Sequence, residues 1–130
     1  MSTGPLARSW RVVIVDDNVG FTELLSRAFL RDGRFEIAAV ASNGAEGVRL
    51  VTEHQPDVVI LDDEMPVMTG VEALPDLLTS APSSKVVLFS ANLHAATTMA
   101  AIDLGACAAV SKLDPLRSLF EAVERCLGII

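Results

Sequence analysis

The sequence predicts an α/β fold in which a parallel sheet is covered by helices on both faces. Three observations predict it. Five short, apolar, mostly β-branched segments recur along the chain, and each is followed by a stretch with helical spacing of apolar residues. The strand-like segments do not alternate polar with apolar residues, the pattern of strands buried on both faces. Gly, Pro and Asn fall between the segments, where turns and caps are needed. Strands alternating with helices satisfy their connections as parallel neighbours joined by crossovers.

Residues 11–15 (RVVIV) read as the first strand, and residues 19–31 as a helix carrying Phe21, Leu24, Leu25, Ala28 and Phe29. Residues 35–41 (FEIAAVA) form the second strand. Asn43 and Glu46 have the spacing of a capping box and open a helix through about His54. Pro56 separates that helix from the third strand, 57–62 (DVVILD). A loop holding Met65, Pro66 and Gly70 leads into a helix over about 71–79. Pro75 lies inside it and predicts a kink or a late start, because an interior proline costs about 3 kcal/mol. Residues 85–90 (KVVLFS) make the fourth strand, and an alanine-rich helix over about 93–104 ends at Gly105, a suitable C-cap. Residues 107–111 (CAAVS) are the fifth strand. Asp114 as N-cap and Pro115 at the first helical position start the last helix, which runs to about Leu127.

A length of 130 residues suits one domain. Residues 1–9 (MSTGPLARS) read as a flexible N-terminal segment without the apolar run of a signal peptide, and residues 10–130 as the domain. The longest apolar runs, such as Val58–Leu61, are too short to span a bilayer, so the expectation is a soluble, cytoplasmic protein without membrane contact. A net charge of −7 speaks against this domain gripping nucleic acid by itself. Cys107 and Cys126 have neither the spacing of a disulfide framework nor that of a metal site. Each stands among apolar residues and is expected to be a buried packing residue. His54 is expected at a helix C-terminus and His94 on the surface.

In open parallel sheets, ligands bind at the carboxyl ends of the strands. Those ends carry Asp16 and Asp17 after the first strand, Asp62 after the third, Ser90 after the fourth and Lys112 after the fifth. The second strand ends in Ala41 and Ser42, which offer nothing comparable. Two like charges about 4 Å apart repel by about 4 kcal/mol at an effective dielectric near 20, so such crowding calls for a cation. Carboxylate and carbonyl oxygens suit a hard ion such as Mg²⁺. The same pocket suits phosphoryl transfer, with a carboxylate as nucleophile and Lys112 and Ser90 facing the phosphoryl oxygens. Any one of these residues alone reads equally well as a helix cap or a solvated charge. All of them together, at the ends of the first, third, fourth and fifth strands, do not.

These residues resemble the receiver domains of two-component response regulators over residues 11–127. The likeness rests on VIVDDN at 13–18, DVVILDDEMPVMTG at 57–70, FSA at 89–91 and SK at 111–112. The resemblance implies a doubly wound, flavodoxin-like sheet of five parallel strands in the order 2-1-3-4-5, with five helices. It implies Mg²⁺ held directly by Asp17, Asp62 and the backbone carbonyl of Glu64, with Asp16 acting through water. It also implies that Asp62 accepts a phosphoryl group from a sensor histidine kinase, that Ser90 is the switch hydroxyl and that Lys112 pairs with the phosphoryl group. The domain would then be a signalling switch rather than an enzyme, assisting only its own phosphorylation and dephosphorylation, and changing its partner or its self-association, with a homodimer as one outcome.

Three positions depart from the family pattern. Asp63 follows the acceptor, but neighbouring strand residues point to opposite faces, so Asp62 and Asp63 cannot both face the pocket. Ala109 stands where relatives often carry an aromatic ring. Leu113 follows Lys112 in place of proline, and with Asp114 and Pro115 this resembles regulators that carry a C-terminal helix-turn-helix DNA-binding domain. The expected role is therefore the regulatory domain of a transcriptional regulator. Two alternatives stay open: an aspartate-nucleophile phosphatase, with Glu64 at the offset of its general acid, and a stand-alone receiver acting through protein contacts.

Overall fold

Residues whose side chains must all leave water gather at the centre of the sheet, and the order of burial sets the architecture. In the computed structural model, which describes residues 9–129, the elements are β1 (Trp10–Val15), α1 (Val19–Asp32), β2 (Phe35–Ala41), α2 (Gly44–His54), β3 (Val58–Leu61), α3 (Gly70–Ser80), β4 (Lys85–Ser90), α4 (Ala95–Asp103), β5 (Ala108–Ser111) and α5 (Leu116–Leu127). The flexible segment expected at residues 1–9 lies, apart from Ser9, outside the described residues. The strands form one parallel sheet in the order β2-β1-β3-β4-β5, the flavodoxin-like order implied by the family resemblance.

Each strand feeds two cores by simple alternation. Val13, Val15, Val59, Leu61, Val86 and Leu88 face one cluster, closed by Val51 of α2, Leu74 and Leu77 of α3 and Ala101 of α4. Val12, Ile14, Val58, Ile60, Val87 and Phe89 face the other, closed by Leu25 and Phe29 of α1 and Leu119 and Val123 of α5. The three central strands are buried on both sides, which is why their sequences read as unbroken apolar runs. Among the described residues no helix is long and apolar enough to cross a membrane.

Several local expectations change. Asn43 accepts the Glu46 N–H at 2.8 Å, but the Glu46 carboxylate accepts the N–H of Ser42 instead of Asn43, so only half of the capping box forms. The complete box is at α3, between Thr69 and Glu72. That helix does not start late: it begins at Gly70 and runs through Pro75. Its first turn is anchored upstream of the proline by the box, by the Gly70 N–H on the Asp63 carbonyl and by the Val71 N–H on the Asp63 carboxylate. Helix α4 opens at Ala95 behind His94, later than the spacing suggests, and stops at Gly105 (φ +110°). There the Gly105 N–H reaches Ile102 and the Ala106 N–H reaches Ala101, a paired termination that requires the left-handed glycine. Asp114 does not cap α5. Pro115 takes the N-cap position, no side chain caps the first turn, and the Asp114 N–H donates to the Ser111 carbonyl in the preceding turn.

The cysteines are the largest correction. Cys107 and Cys126 are joined in a disulfide with their Cα atoms 6.0 Å apart; Cys107 is exposed and Cys126 half-buried. The physical reason is the direction of α5, which returns antiparallel to β5. The start of the strand therefore lies beside the last turn of the helix. Closing a loop over a separation of 19 residues removes freedom from the unfolded chain. For that loop length, replacing both cysteines with serine should lower the unfolding free energy by about 3 kcal/mol. Urea unfolding under non-reducing conditions measures this, and equal midpoints for the two proteins would contradict it.

Candidate functional site

The sheet ladder continues one residue past three of its strands. The N–H groups of Asp16, Asp62 and Lys112 donate to the carbonyls of Ala41, Val15 and Ser90, each at 2.9 Å. These backbones are therefore as fixed as the strands themselves, and their side chains stand at the carboxyl edge. Asp63, the next residue, turns the other way as strand alternation requires, and its carboxylate accepts the Val71 N–H at 3.0 Å. Gly70 lies directly beneath: a Cβ there would sit 2.3 Å from the Asp62 carbonyl oxygen. Only glycine lets α3 begin so close to the acidic residue.

Asp16 and Asp62 are 4% and 5% exposed, and Ser90 is fully buried. The Lys112 ammonium reaches Asp16 at 2.7 Å and Asp62 at 3.3 Å, and it stands 4.4 Å from the centre of the Phe21 ring. Asp17 is exposed, yet Asp16, Asp17 and Asp62 each offer a carboxylate oxygen within 4.8 Å of the others. Burial pushes the Asp62 carboxyl up to about 6, and the Asp16 charge adds to the rise. Lys112 and the N–H of Glu64 partly offset it. Three carboxylates against one ammonium leave a site with net negative charge and oxygen donors only. That donor set fits a hard divalent cation such as Mg²⁺.

The structure thus brings together Asp16, Asp17, Asp62 and Lys112, with Ser90 on the same edge. Glu64 enters through its backbone N–H, while its exposed carboxylate accepts the Asn92 side-chain N–H at 3.0 Å. The Asn92 backbone N–H donates to the Ser90 hydroxyl at 3.2 Å, which leaves the Ser90 O–H able to donate elsewhere. Asn92 and Phe21 are the participants that sequence reasoning missed. Asn92 has a signal, a polar amide two residues beyond the strand-end serine. Phe21 has none, since at helical spacing it reads as core.

A family model for the response regulator receiver domain matches residues 12–124. The chain belongs to this family. Receiver domains are phosphoacceptor signalling domains of two-component systems and bind Mg²⁺ at an acidic pocket. Among sequence relatives, the chain is 40% identical over 104 residues to protein-glutamate methylesterase/protein-glutamine glutaminase 2 of Caulobacter vibrioides, covering 78% of this chain and 30% of that protein. It is 36% identical to the chemotaxis protein CheY of Listeria monocytogenes, covering 88% of this chain and 96% of that one. The chain therefore spans about a third of the methylesterase relatives and nearly all of CheY.

Among solved structures, a LuxR-family two-component response regulator from Aurantimonas sp. superposes with a TM-score of 0.88 at 27% identity, covering 92% of this receiver and 86% of the other chain. The CheX–CheY–BeF₃–Mg²⁺ complex from Borrelia burgdorferi superposes at 0.86 and 25% identity, covering 95% and 92%.

The raised Asp62 carboxyl has a consequence for the metal-free receiver. A carboxyl whose folded pKa (about 6) exceeds its ordinary value (3.8) binds its proton more tightly when folded. Its contribution to stability is intact below the ordinary value and is lost as pH rises through about 6. Asp62→Asn should therefore stabilise the metal-free protein at pH 8 by on the order of 2 kcal/mol, and by less at pH 5. Urea unfolding with a chelator present at both pH values reads this directly. A variant less stable than wild type at pH 8 would contradict the electrostatic account.

Proposed function

We propose that this receiver domain is a phosphorylation-dependent switch in which Asp62 takes a phosphoryl group from the phosphohistidine of a sensor histidine kinase. One observation carries the assignment. Asp62 is the buried carboxylate at the end of the central strand β3, within 3.3 Å of an ammonium, whereas neighbouring Asp63 is committed to the first turn of α3. A carboxylate oxygen of Asp62 attacks phosphorus, the nitrogen–phosphorus bond of the donor breaks, and the leaving imidazole takes up a proton. The product is an acyl phosphate.

Asp17, Asp62 and the Glu64 backbone carbonyl are proposed to hold Mg²⁺, with Asp16 acting through water. When bound, the ion offsets repulsion between the nucleophile and the oxygens of the donor. Lys112, already beside Asp62, pairs with one phosphoryl oxygen and Ser90 donates a hydrogen bond to another. The Borrelia CheY relative, solved with BeF₃ and Mg²⁺, supports both the metal and the acceptor chemistry. The Glu64 carboxylate, hydrogen-bonded to Asn92, gives no support to a phosphatase general acid.

For the output we propose the regulatory domain of a cytoplasmic transcriptional regulator, whose phosphorylation changes self-association or the freedom of a DNA-binding domain. LuxR-family response regulators among the structural relatives support this reading. A methylesterase-type output, or direct contact by a stand-alone receiver, is favoured instead by the sequence relatives.

Incubation with acetyl phosphate and Mg²⁺ should add one phosphoryl group, labile to hydroxylamine. Asp62→Asn should abolish labelling, while Asp63→Asn should retain it within about twofold; Lys112→Ala should slow it by about tenfold or more. Labelling lost in Asp63→Asn and kept in Asp62→Asn would refute the assignment. A separate measurement concerns the metal: Asp17→Ala should weaken Mg²⁺ binding by about tenfold or more, because it removes one charged oxygen ligand. Equal affinities by calorimetry would remove Asp17 from the ligand set.

A further inference from the structure

We propose that Cys107 and Cys126 form a thiol–disulfide exchange site, closed by a small disulfide such as oxidised glutathione and opened by a dithiol reductant. The Cys107 sulfur is the atom attacked. The two are the only cysteines in the chain and are bonded to each other, so no third thiol competes for either.

Their surroundings differ. Cys107 is exposed at the entrance to β5, whereas Cys126 is half-buried in the last turn of α5, against the core that α5 shares with α1. An incoming thiolate therefore reaches Cys107 first. The backbone holds both sulfurs in place. The Cys107 N–H donates to the Val86 carbonyl at 2.7 Å, the preceding residue is tied to α4 through Ala101, and α5 is capped after Leu127 by Gly128. With the partners held side by side, the second thiol acts on a fixed neighbour, and an intermediate mixed disulfide is short-lived.

Closure begins when the Cys107 thiolate attacks one sulfur of glutathione disulfide, forming a mixed disulfide and releasing one glutathione thiolate. The Cys126 thiolate then attacks the Cys107 sulfur and releases the second glutathione. Two protein thiols lose two electrons and two protons, and glutathione disulfide gains them. Opening runs in reverse: a reductant thiolate attacks the Cys107 sulfur, Cys126 leaves as thiolate and takes a proton from water, and the reductant's second thiol then frees Cys107 and ends as a disulfide.

The bond stands at the amino end of β5, and Lys112 follows its carboxyl end, so the two chemistries occupy opposite edges of the sheet. Redox state therefore acts on α5, whose last turn gains a covalent tie to the start of β5, beyond its packing, only when the bond is closed. This site does not depend on which aspartate accepts a phosphoryl group.

The test uses the whole chain in buffers of varied reduced-to-oxidised glutathione ratio, quenched by alkylation and read by intact mass and peptide mapping. Cys107 and Cys126 should change together, between a dithiol and an internal disulfide. Cys126→Ala should accumulate a glutathione adduct on Cys107 about tenfold faster than Cys107→Ala accumulates one on Cys126, because exposure governs attack. The same asymmetry can be read without any variant: limiting iodoacetamide on the reduced wild type should label Cys107 first. In the reduced protein, amide exchange over residues 124–128 should be about tenfold faster than in the oxidised protein, with α3 unchanged. A pair that stays dithiol in excess oxidised glutathione, or equal labelling of the two cysteines, would overturn the proposal.

Discussion

Asp16 and Asp62, both almost fully buried, share the single ammonium of Lys112. That one ammonium does not balance the two carboxylates together with the neighbouring Asp17, so the edge keeps net negative charge. The Asp62 carboxyl is raised to about 6 chiefly by its burial, and the Asp16 charge beside it adds to the rise. Everything else at the edge follows from holding the three groups in place. Their backbones are pinned by continuation of the sheet ladder, Gly70 lets α3 start against Asp62, and the Phe21 ring sits under the ammonium. A site held short of charge balance is poised to accept a divalent cation and to respond to added phosphoryl oxygens.

The sheet separates this chemistry from the rest of the molecule. Its carboxyl edge carries the acids, the lysine and the serine, whereas the amino edge carries the Cys107–Cys126 bond. Strand β5 and helix α5 connect the two. Lys112 lies between them in sequence, within the loop that the disulfide closes, so the element that bears the pocket's cation is also the one covalently stapled at its far end.

Much of the fold was legible because its causes are local. β2 and β4 occupy the residues their composition indicates, and the strand-end rule finds Asp16, Asp17, Asp62, Ser90 and Lys112 without reference to any family. Alternation alone turns Asp63 away from the pocket. What was not legible depends on neighbours distant in sequence. Asp114 looks like a cap, yet the helix starts one residue later, Pro115 takes the N-cap position and no side chain caps the first turn. Pro75 looks like a break, but the first turn of α3 is anchored before it. The apolar context of each cysteine suggested burial, whereas the antiparallel return of α5 along β5 decides their pairing. Phe21 belongs to the site only because the first turn of α1 sets its ring against Phe89 and near the Lys112 ammonium.

The most direct measurement is a crystal structure of the chain with beryllofluoride and Mg²⁺. The account predicts beryllium bonded to an Asp62 carboxylate oxygen, with Ser90 and Lys112 contacting fluorine and the metal held by Asp17, Asp62 and the Glu64 carbonyl. Beryllofluoride on Asp63, or a metal bound away from Asp17 and Asp62, would contradict it.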